Sequence, residues 1–329
     1  MRYILGVLGL FVLLPSFVFA QTEGNIASYF ANKKFDSKTI SAFLNAVKAE
    51  NYELVNNYLV KNPSIANVSD EQGNTGLMYA AKKGNISLMK LLTNKGAYVN
   101  TTNDDGNSAL CLVFQNASHS QNILPAVNLL INLNAHINIS CSGPIYVGGN
   151  DMKDYAPLHY AVWHLLPDVT AALLKHGAKI DTKASLVSRV DNNTVTVYPA
   201  DMIFYANSQT SDAVFGQVTM SLVNAKAKFK QYKDSNDLLE VAIHASGHYD
   251  SVLDTLLSKK VIAGDINSYK LYYGTPLTEA VCYGASLPRI KVLVKHGAKV
   301  TNKAEVETML QCAANDSAVA NYLNELGYK

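Results

Sequence analysis

The amino-acid sequence predicts an all-α repeat solenoid, and an internal period is the first observation behind this prediction. Gly73, in the segment D-E-Q-G-N-T-G-L-M-Y-A-A at residues 70–81, is followed 33 residues later by Gly106 in a similar segment. A unit of this length is one supersecondary element that buries its apolar face only by stacking on neighbours. The sequence therefore predicts an array of such units.

Apolar residues at helical spacing are the second observation. Leu77, Ala80 and Ala81 share one helical face, and an i, i+3, i+4 stripe follows on the next segment at Leu88, Leu91 and Leu92. Neither segment is long enough to form a stable helix alone, so each unit is expected to be a pair of short packed helices. Glycine follows the second helix, where left-handed caps are common, at Gly96, Gly177 and Gly297.

These units resemble the ankyrin repeat, whose pattern is a D-x-x-G turn, T-P-L-H-x-A-A, a leucine-rich second helix and a final G-A. Residues 156–161, A-P-L-H-Y-A, are close to this signature, and G-T-P-L-T-E-A at residues 274–280 is another copy. The resemblance implies about eight repeats, within residues 39–329, joined by β-hairpin connections. The apolar markers of the first helices are Phe43, Leu77, Leu110, Leu158, Ala200, Leu239, Leu277 and Leu310.

The central repeats are longer than the others, which predicts two enlarged central loops. The first insertion, near residues 139–153, contains Gly148 and other turn residues, so a loop is expected there. The second, near residues 184–198, has two β-branched runs around the turn at residues 191–193 and predicts a β-hairpin. Because connections lie along one edge of an ankyrin array, the resemblance implies that both insertions project side by side.

Aromatic residues gather on these connections and suggest a surface that binds a protein. Tyr and Trp favour interfaces because they bury a large area and keep a polar group. The alternative is that the same side chains pack the enlarged loops onto the repeats. The predicted binding residues are Tyr146, Tyr155, Trp163, Arg189, Tyr198, Tyr269, Tyr272 and Tyr273.

The chain contains four cysteines, an even number that makes disulfides plausible in an oxidising compartment. In the geometry that the resemblance implies, Cys111 and Cys141 lie in the same or adjacent repeats, as do Cys282 and Cys312. The other pairings would span several repeats. The first bond would tie down the first insertion, and the second would clamp the last repeats. Four buried free thiols are the alternative.

No cluster in the sequence predicts a metal, a cofactor or a catalytic centre. His244 and His248 are four residues apart, but Gly247 lies between them at an expected turn between helices. Phosphate-binding glycine motifs and a nucleophile elbow are absent from the sequence as well. The chain is therefore predicted not to be an enzyme.

The remaining prominent histidines have structural interpretations. His176 and His296 immediately precede the terminal glycines of two repeats, where a cation would favour a helix C-terminus. His159 occupies the histidine position of the T-P-L-H signature, and the resemblance implies a structural hydrogen bond at the first turn of its helix.

The N-terminal segment predicts a secretory signal peptide at residues 1–20. Arg2 precedes a run of almost entirely apolar residues, and cleavage is expected after Ala20, before the polar Gln21. A lead-in segment at residues 21–38 would then precede the repeats, and no membrane insertion is expected after cleavage. An uncleaved membrane anchor is the alternative, although its apolar run is shorter than the ~20 residues that a spanning helix needs.

A formal charge of +2, without blocks of like charge, gives no reason to expect nucleic acid or an anionic membrane as a partner. The resemblance implies a monomer that binds another protein through its concave face and central loops. The signal peptide places it in the periplasm or outside the cell, and richness in Lys, Asn, Tyr and Ile favours a bacterium. One alternative is a secreted virulence effector that binds a host protein, and another is an enzyme within the divergent residues 139–235.

Overall fold

The computed structural model describes residues 16–115, 120–143, 145–206, 211–228, 235–245 and 249–329. The chain divides into two compact units, Met1–Gly143 and Pro144–Lys329. Most of the predicted signal peptide, residues 1–15, lies outside the described residues, and the first helix begins at Ser16. Among the described residues, no helix is both long enough and apolar enough to cross a bilayer.

Short helices packed in pairs build the first unit. Asparagine starts the second helix of two pairs, because Asn51 Oδ1 accepts a hydrogen bond from the Leu54 amide and Asn85 Oδ1 accepts one from the Leu88 amide, both at 3.0 Å. Such caps satisfy amides that have no partner within the helix. The helices are α1 (Ser16–Lys34), α2 (Ser37–Lys48), α3 (Tyr52–Lys61), α4 (Gly76–Lys82), α5 (Ile86–Asn94), α6 (Ala109–Phe114) and α7 (Ser120–Asn132), with a 3₁₀ helix at Pro63–Asn67.

Asparagine side chains tie each connection of this unit to the next repeat. Asn67 donates to the Gly96 carbonyl at 2.9 Å and accepts from the Tyr98 amide at 2.8 Å. Asn100, 33 residues later, bonds in the same way to the carbonyl of Asn134 and the amide of His136, at 3.0 and 2.8 Å. An amide side chain donates and accepts at once, so one residue satisfies both backbone groups.

Helix α1 lies against the connections of two successive repeats, which the sequence did not predict. Asn25 bonds to the backbone amide and the hydroxyl of Thr102, at 3.0 and 3.2 Å. Asn32 bonds to the amide and carbonyl of Ser69, at 2.9 and 3.2 Å. Seven helical residues span about 10.5 Å. The spacing of the two asparagines along α1 therefore matches the distance between equivalent residues of adjacent repeats.

Changing both Asn25 and Asn32 to alanine is expected to loosen α1 without unfolding the repeats. Each net hydrogen bond contributes about 1 kcal/mol, so amide exchange in α1 should become at least about tenfold faster. Hydrogen-exchange mass spectrometry measures this rate directly. Ile26→Ala, on the exposed side of the same helix, is the control that should leave it unchanged. Equal protection of α1 in the double variant and the wild type would show that these bonds do not retain the helix.

The second unit combines helix pairs with a small sheet. Within it, α8 packs on α9, α13 on α14, and α15 on α16. The α-helices are α8 (Pro157–Trp163), α9 (Pro167–Lys175), α10 (Asp212–Asn224), α11 (Ser235–His244), α12 (Asp250–Ser258), α13 (Pro276–Tyr283), α14 (Leu287–Lys295), α15 (Lys303–Ala313) and α16 (Ser317–Glu325), with 3₁₀ helices at Pro199–Tyr205 and Ile266–Ser268. The strands are β1 (Ile145–Val147), β2 (Asn150–Lys153), β3 (Ala184–Ser188) and β4 (Thr194–Val197).

Most markers of the repeats are core residues, and two of them differ from expectation. Ala200 lies in a 3₁₀ helix rather than an α-helix, with Pro199 at its first turn. Leu310 is only half-buried, whereas its neighbour Met309 is fully buried. One residue is about 100° of helical rotation, so α15 turns Met309, not Leu310, toward the core. The fully buried markers are Phe43, Leu77, Leu110, Leu158, Ala200, Leu239 and Leu277.

The two insertions form one antiparallel sheet in the strand order β1-β2-β3-β4. The first insertion, expected to be a loop, is a hairpin, because β1 pairs with β2. The second insertion forms the β3–β4 hairpin, and Met152 of β2 pairs with Leu186 of β3. Met152 and Leu186 are both buried. Successive strand residues face opposite sides, so the two insertions join edge to edge through β2 and β3, and one face of the joined sheet is buried at Met152 and Leu186.

Candidate functional site

The exposed face of the sheet carries two of the predicted binding residues. Tyr146 of β1 pairs with Asp151 of β2, and Asp151 pairs with Val187 of β3, so these residues share the face opposite Met152. Arg189 follows β3 directly. We call Tyr146, Asp151 and Arg189 the sheet patch.

An ion pair and a ring contact orient the arginine of the sheet patch. Arg189 Nε lies 3.0 Å from Asp151 Oδ1, and its guanidinium carbon lies 4.0 Å from the centre of the Tyr146 ring. The Tyr146 side chain is 52% exposed and that of Arg189 is 54% exposed. A cation over an aromatic face gains about 0.5–1 kcal/mol at an exposed site. The patch is therefore exposed but ordered, with the guanidinium lying against the tyrosine ring.

A second exposed group lies in the loop before α13. Tyr272 is 85% exposed and Tyr273 is 42% exposed, and their rings meet edge to face with centres 4.9 Å apart. We call these two residues the tyrosine pair. Adjacent exposed aromatic side chains form a small apolar surface of the kind that can serve an interaction.

The other predicted binding residues have packing roles in the structure. Tyr155 is fully buried. Trp163 is half-buried and donates its indole N–H to the Tyr205 carbonyl at 3.1 Å. The backbone amide of Tyr198 donates to the carboxylate of Asp201, in the first turn of the 3₁₀ helix. The Tyr269 hydroxyl donates to the Ala263 carbonyl. These four residues are buried or half-buried and offer less free surface than the sheet patch.

Histidines next to these loops are held neutral by desolvation. His159 is fully buried, and its Nδ1 accepts a hydrogen bond from the Ala156 amide at 3.1 Å. Burial lowers the pKa of His159 to about 4, and desolvation by its neighbours lowers the pKa of His164, although the His164 side chain remains exposed. His164 packs against Trp163, with ring centres 4.3 Å apart. These rings are neutral at ordinary pH and act as packing groups.

The two capping histidines differ in their surroundings. His176 is exposed at the end of α9. His296 ends α14, and its Nε2 lies 2.6 Å from Asp254 Oδ1. Both lie where a cation would favour the helix C-terminus, in line with the structural interpretation.

Sequence reasoning missed a polar cluster beneath the tyrosine pair. His244 Nε2 lies 2.7 Å from Glu279 Oε1, and Glu240 lies close enough to complete a group of three possible metal ligands. The Tyr283 ring, 53% exposed, stacks on His244. His248 of the sequence pair lies outside the described residues. The available signal was Glu279, a charged residue among the apolar positions of a T-P-L-T-E-A helix.

Both expected cysteine pairs lie at disulfide distance. The sulfur atoms of Cys111 and Cys141 are 2.14 Å apart, and those of Cys282 and Cys312 are 2.03 Å apart. The first pair is fully buried, whereas Cys282 is half-buried and Cys312 is exposed. The free-thiol alternative does not apply to this structure. Each bond closes a loop of the length of one repeat.

The sequence of the first unit matches a known family. Residues 43–141, which run from the second half of α2 to beyond the end of α7, match the family model described as ankyrin repeats (3 copies). The short helix pairs, the turn-linked connections and the repeated asparagine contacts agree with that match. Residues 43–141 are therefore similar to ankyrin repeats, which are protein-interaction modules and are generally non-catalytic.

Proposed function

We propose that this chain is an exported, non-catalytic ankyrin-repeat protein that binds a protein partner through the sheet patch and the tyrosine pair. The observation that carries the proposal is the ordered but exposed arrangement of Arg189 over Tyr146. Arginine and tyrosine are the residue types enriched among the side chains that dominate binding energy. Because Asp151 already orients the guanidinium, less conformational entropy is lost when a partner docks.

Several observations support export as part of this proposal. The predicted signal peptide, with cleavage after Ala20, directs the chain across a membrane, and two cysteine pairs at disulfide distance suit an oxidising compartment. We infer a periplasmic or secreted bacterial protein that acts as a monomer. The virulence-effector hypothesis shares this binding surface and differs in placing the partner in a host.

The double variant Tyr146→Ala, Arg189→Ala is expected to bind the partner about thirtyfold or more weakly, since one dominant interface residue contributes about 2 kcal/mol or more. Affinity capture with mass spectrometry would identify the partner, and calorimetry with that purified partner would give the dissociation constant. Circular dichroism would verify that the variant is folded. Proteins captured from a periplasmic extract but not from host extracts would favour the periplasmic role.

Lys183→Ala is the matched control, because Lys183 is an exposed cation next to β3 but outside the sheet patch. It should leave the affinity unchanged. If the double variant binds as tightly as the wild type, recognition does not use the sheet patch. The same measurement on Tyr272→Ala, Tyr273→Ala would then test the tyrosine pair, and unchanged affinity there too would move recognition to the helices of the repeats.

A further inference from the structure

Three potential metal ligands converge between two packed helices of the second unit. Glu240 and His244 are four residues apart on α11, which places them on one face of that helix. Glu279 lies on α13, which packs against α11. The ligand atoms of the three side chains all lie within 4.8 Å of one another. We call these three residues the Glu–His–Glu cluster.

The charge of this cluster favours a cation. The Glu279 side chain is only 1% exposed, and its one ion-pair partner among the described residues is His244, which is 23% exposed. No lysine or arginine of the described chain forms an ion pair with Glu240 or Glu279. The imidazole thus pairs with Glu279 alone, and Glu240 adds a second carboxylate within 4.8 Å that forms no ion pair among the described residues, so carboxylates outnumber cationic partners in a partly buried place. Such charge is costly unless it is paired or coordinates a metal.

Neighbouring groups orient the Glu279 carboxylate and the His244 ring. The Tyr273 amide donates to Glu279 Oε2 at 2.7 Å, which leaves Oε1 directed at the cluster. The Tyr283 ring stacks on His244, with centres 3.7 Å apart and planes inclined by 13°. A hydrogen bond that fixes the direction of a ligand, like the one to Glu279, is typical of metal sites.

The end of α11 that carries His244 is also anchored. Arg289 Nη1 donates to the Ile243 carbonyl at 3.1 Å and to the Ala245 carbonyl. These two carbonyls flank His244 in the chain, so the buried arginine holds the backbone on both sides of it. The position of the imidazole therefore does not depend on a bound ion.

We infer that the Glu–His–Glu cluster is a binding site for a divalent transition metal, and that zinc is the ion it suits best. Imidazole nitrogen with carboxylate oxygen is a donor set that zinc accepts, and three protein ligands leave its fourth position for water. Magnesium and calcium prefer oxygen donors alone. Zinc requires a neutral imidazole, so binding would replace the hydrogen bond between His244 and Glu279 with two metal–ligand bonds.

A metal bound here would connect α11 to α13. This inference goes beyond the proposed interaction function and does not depend on it. The test is isothermal titration of the full disulfide-bonded chain, first freed of metal with a chelator, with zinc chloride and then with magnesium chloride. We expect one zinc ion per chain and much weaker binding of magnesium. His244→Ala, Glu240→Gln and Glu279→Gln should each weaken zinc binding by about tenfold or more, since even outer-shell changes cost 10–100-fold.

His176→Ala is the control, because this histidine is exposed on α9 and away from the cluster in sequence. It should bind zinc as the wild type does. Because Glu279 is buried and its variant could unfold, X-ray absorption of the zinc-loaded wild type gives an independent answer. Nitrogen and oxygen ligands without sulfur are expected. Failure of the folded wild type to bind zinc, sulfur ligation, or unchanged affinity in folded His244→Ala would overturn the inference.

Discussion

Replacing the buried Arg289 by methionine is expected to lower the free energy of unfolding of the second unit by about 3–5 kcal/mol. The Arg289 side chain is 4% exposed, and its Nε lies 3.0 Å from Asp250 Oδ1. It also donates to the carbonyls of Ile243 and Ala245. Methionine fills a similar volume but leaves a partly buried carboxylate and two carbonyls without this donor. Urea unfolding followed by circular dichroism would measure the loss.

Lys295→Met provides the contrast in the same unit. Lys295 pairs with Asp254 at 2.9 Å, but its side chain is 62% exposed. Exposed ion pairs contribute about 0–1 kcal/mol. This variant should therefore unfold at almost the wild-type urea concentration. If both variants lost a similar free energy of unfolding, the burial of Arg289 would not explain the stability that its contacts contribute.

Changing both Cys111 and Cys141 to alanine is expected to lower the free energy of unfolding of the first unit by about 3–4 kcal/mol. The bond joins residues 30 apart in sequence, and a cross-link of that span restricts the unfolded chain by roughly this amount. Because the two units need not unfold together, hydrogen-exchange mass spectrometry under increasing urea would measure each one separately.

The second disulfide is the matched comparison. Cys282 and Cys312 are also 30 residues apart, so the chain-entropy effect on the second unit should be similar. The two bonds differ in access: Cys312 is exposed, whereas both Cys111 and Cys141 are fully buried. A mild reductant should therefore open the Cys282–Cys312 bond first in the native protein. If both disulfides were reduced at the same rate, burial of the Cys111–Cys141 bond would not protect it from the reductant.

Repeat-level features could be predicted because each depends on residues close together in the chain. The 33-residue period and the stripe at Leu88 and Leu92 correspond to helices α4 to α6 and to a match with ankyrin repeats. The β-branched runs on either side of residues 191–193 correspond to β3 and β4. Local backbone preference and apolar spacing suffice for such features.

The exposure of the proposed binding residues could be predicted only in part. Composition identified the tyrosines of the connections but did not distinguish Tyr146, which is exposed, from Tyr155, which is fully buried. The cluster of Glu240, His244 and Glu279 was not predicted, because its members are separated by up to 39 residues. The three side chains come together because α11 packs against α13, and the periodic pattern of the sequence does not predict that contact.

The sequence by itself indicated the repeat type at residues 43–141, the helix pairs and the position of the second hairpin, since a fixed period places equivalent residues one repeat apart. For the cysteines it favoured one pairing and left free thiols as the alternative. The tertiary structure alone decided that the two insertions share a sheet, that α1 lies on the connections at Ser69 and Thr102, and that Arg289 is buried. These features depend on contacts between residues 32 to 77 apart in the chain, as for Lys153 with Ser185 and Asn25 with Thr102. Such contacts are set by packing and loop length, which local sequence patterns do not encode.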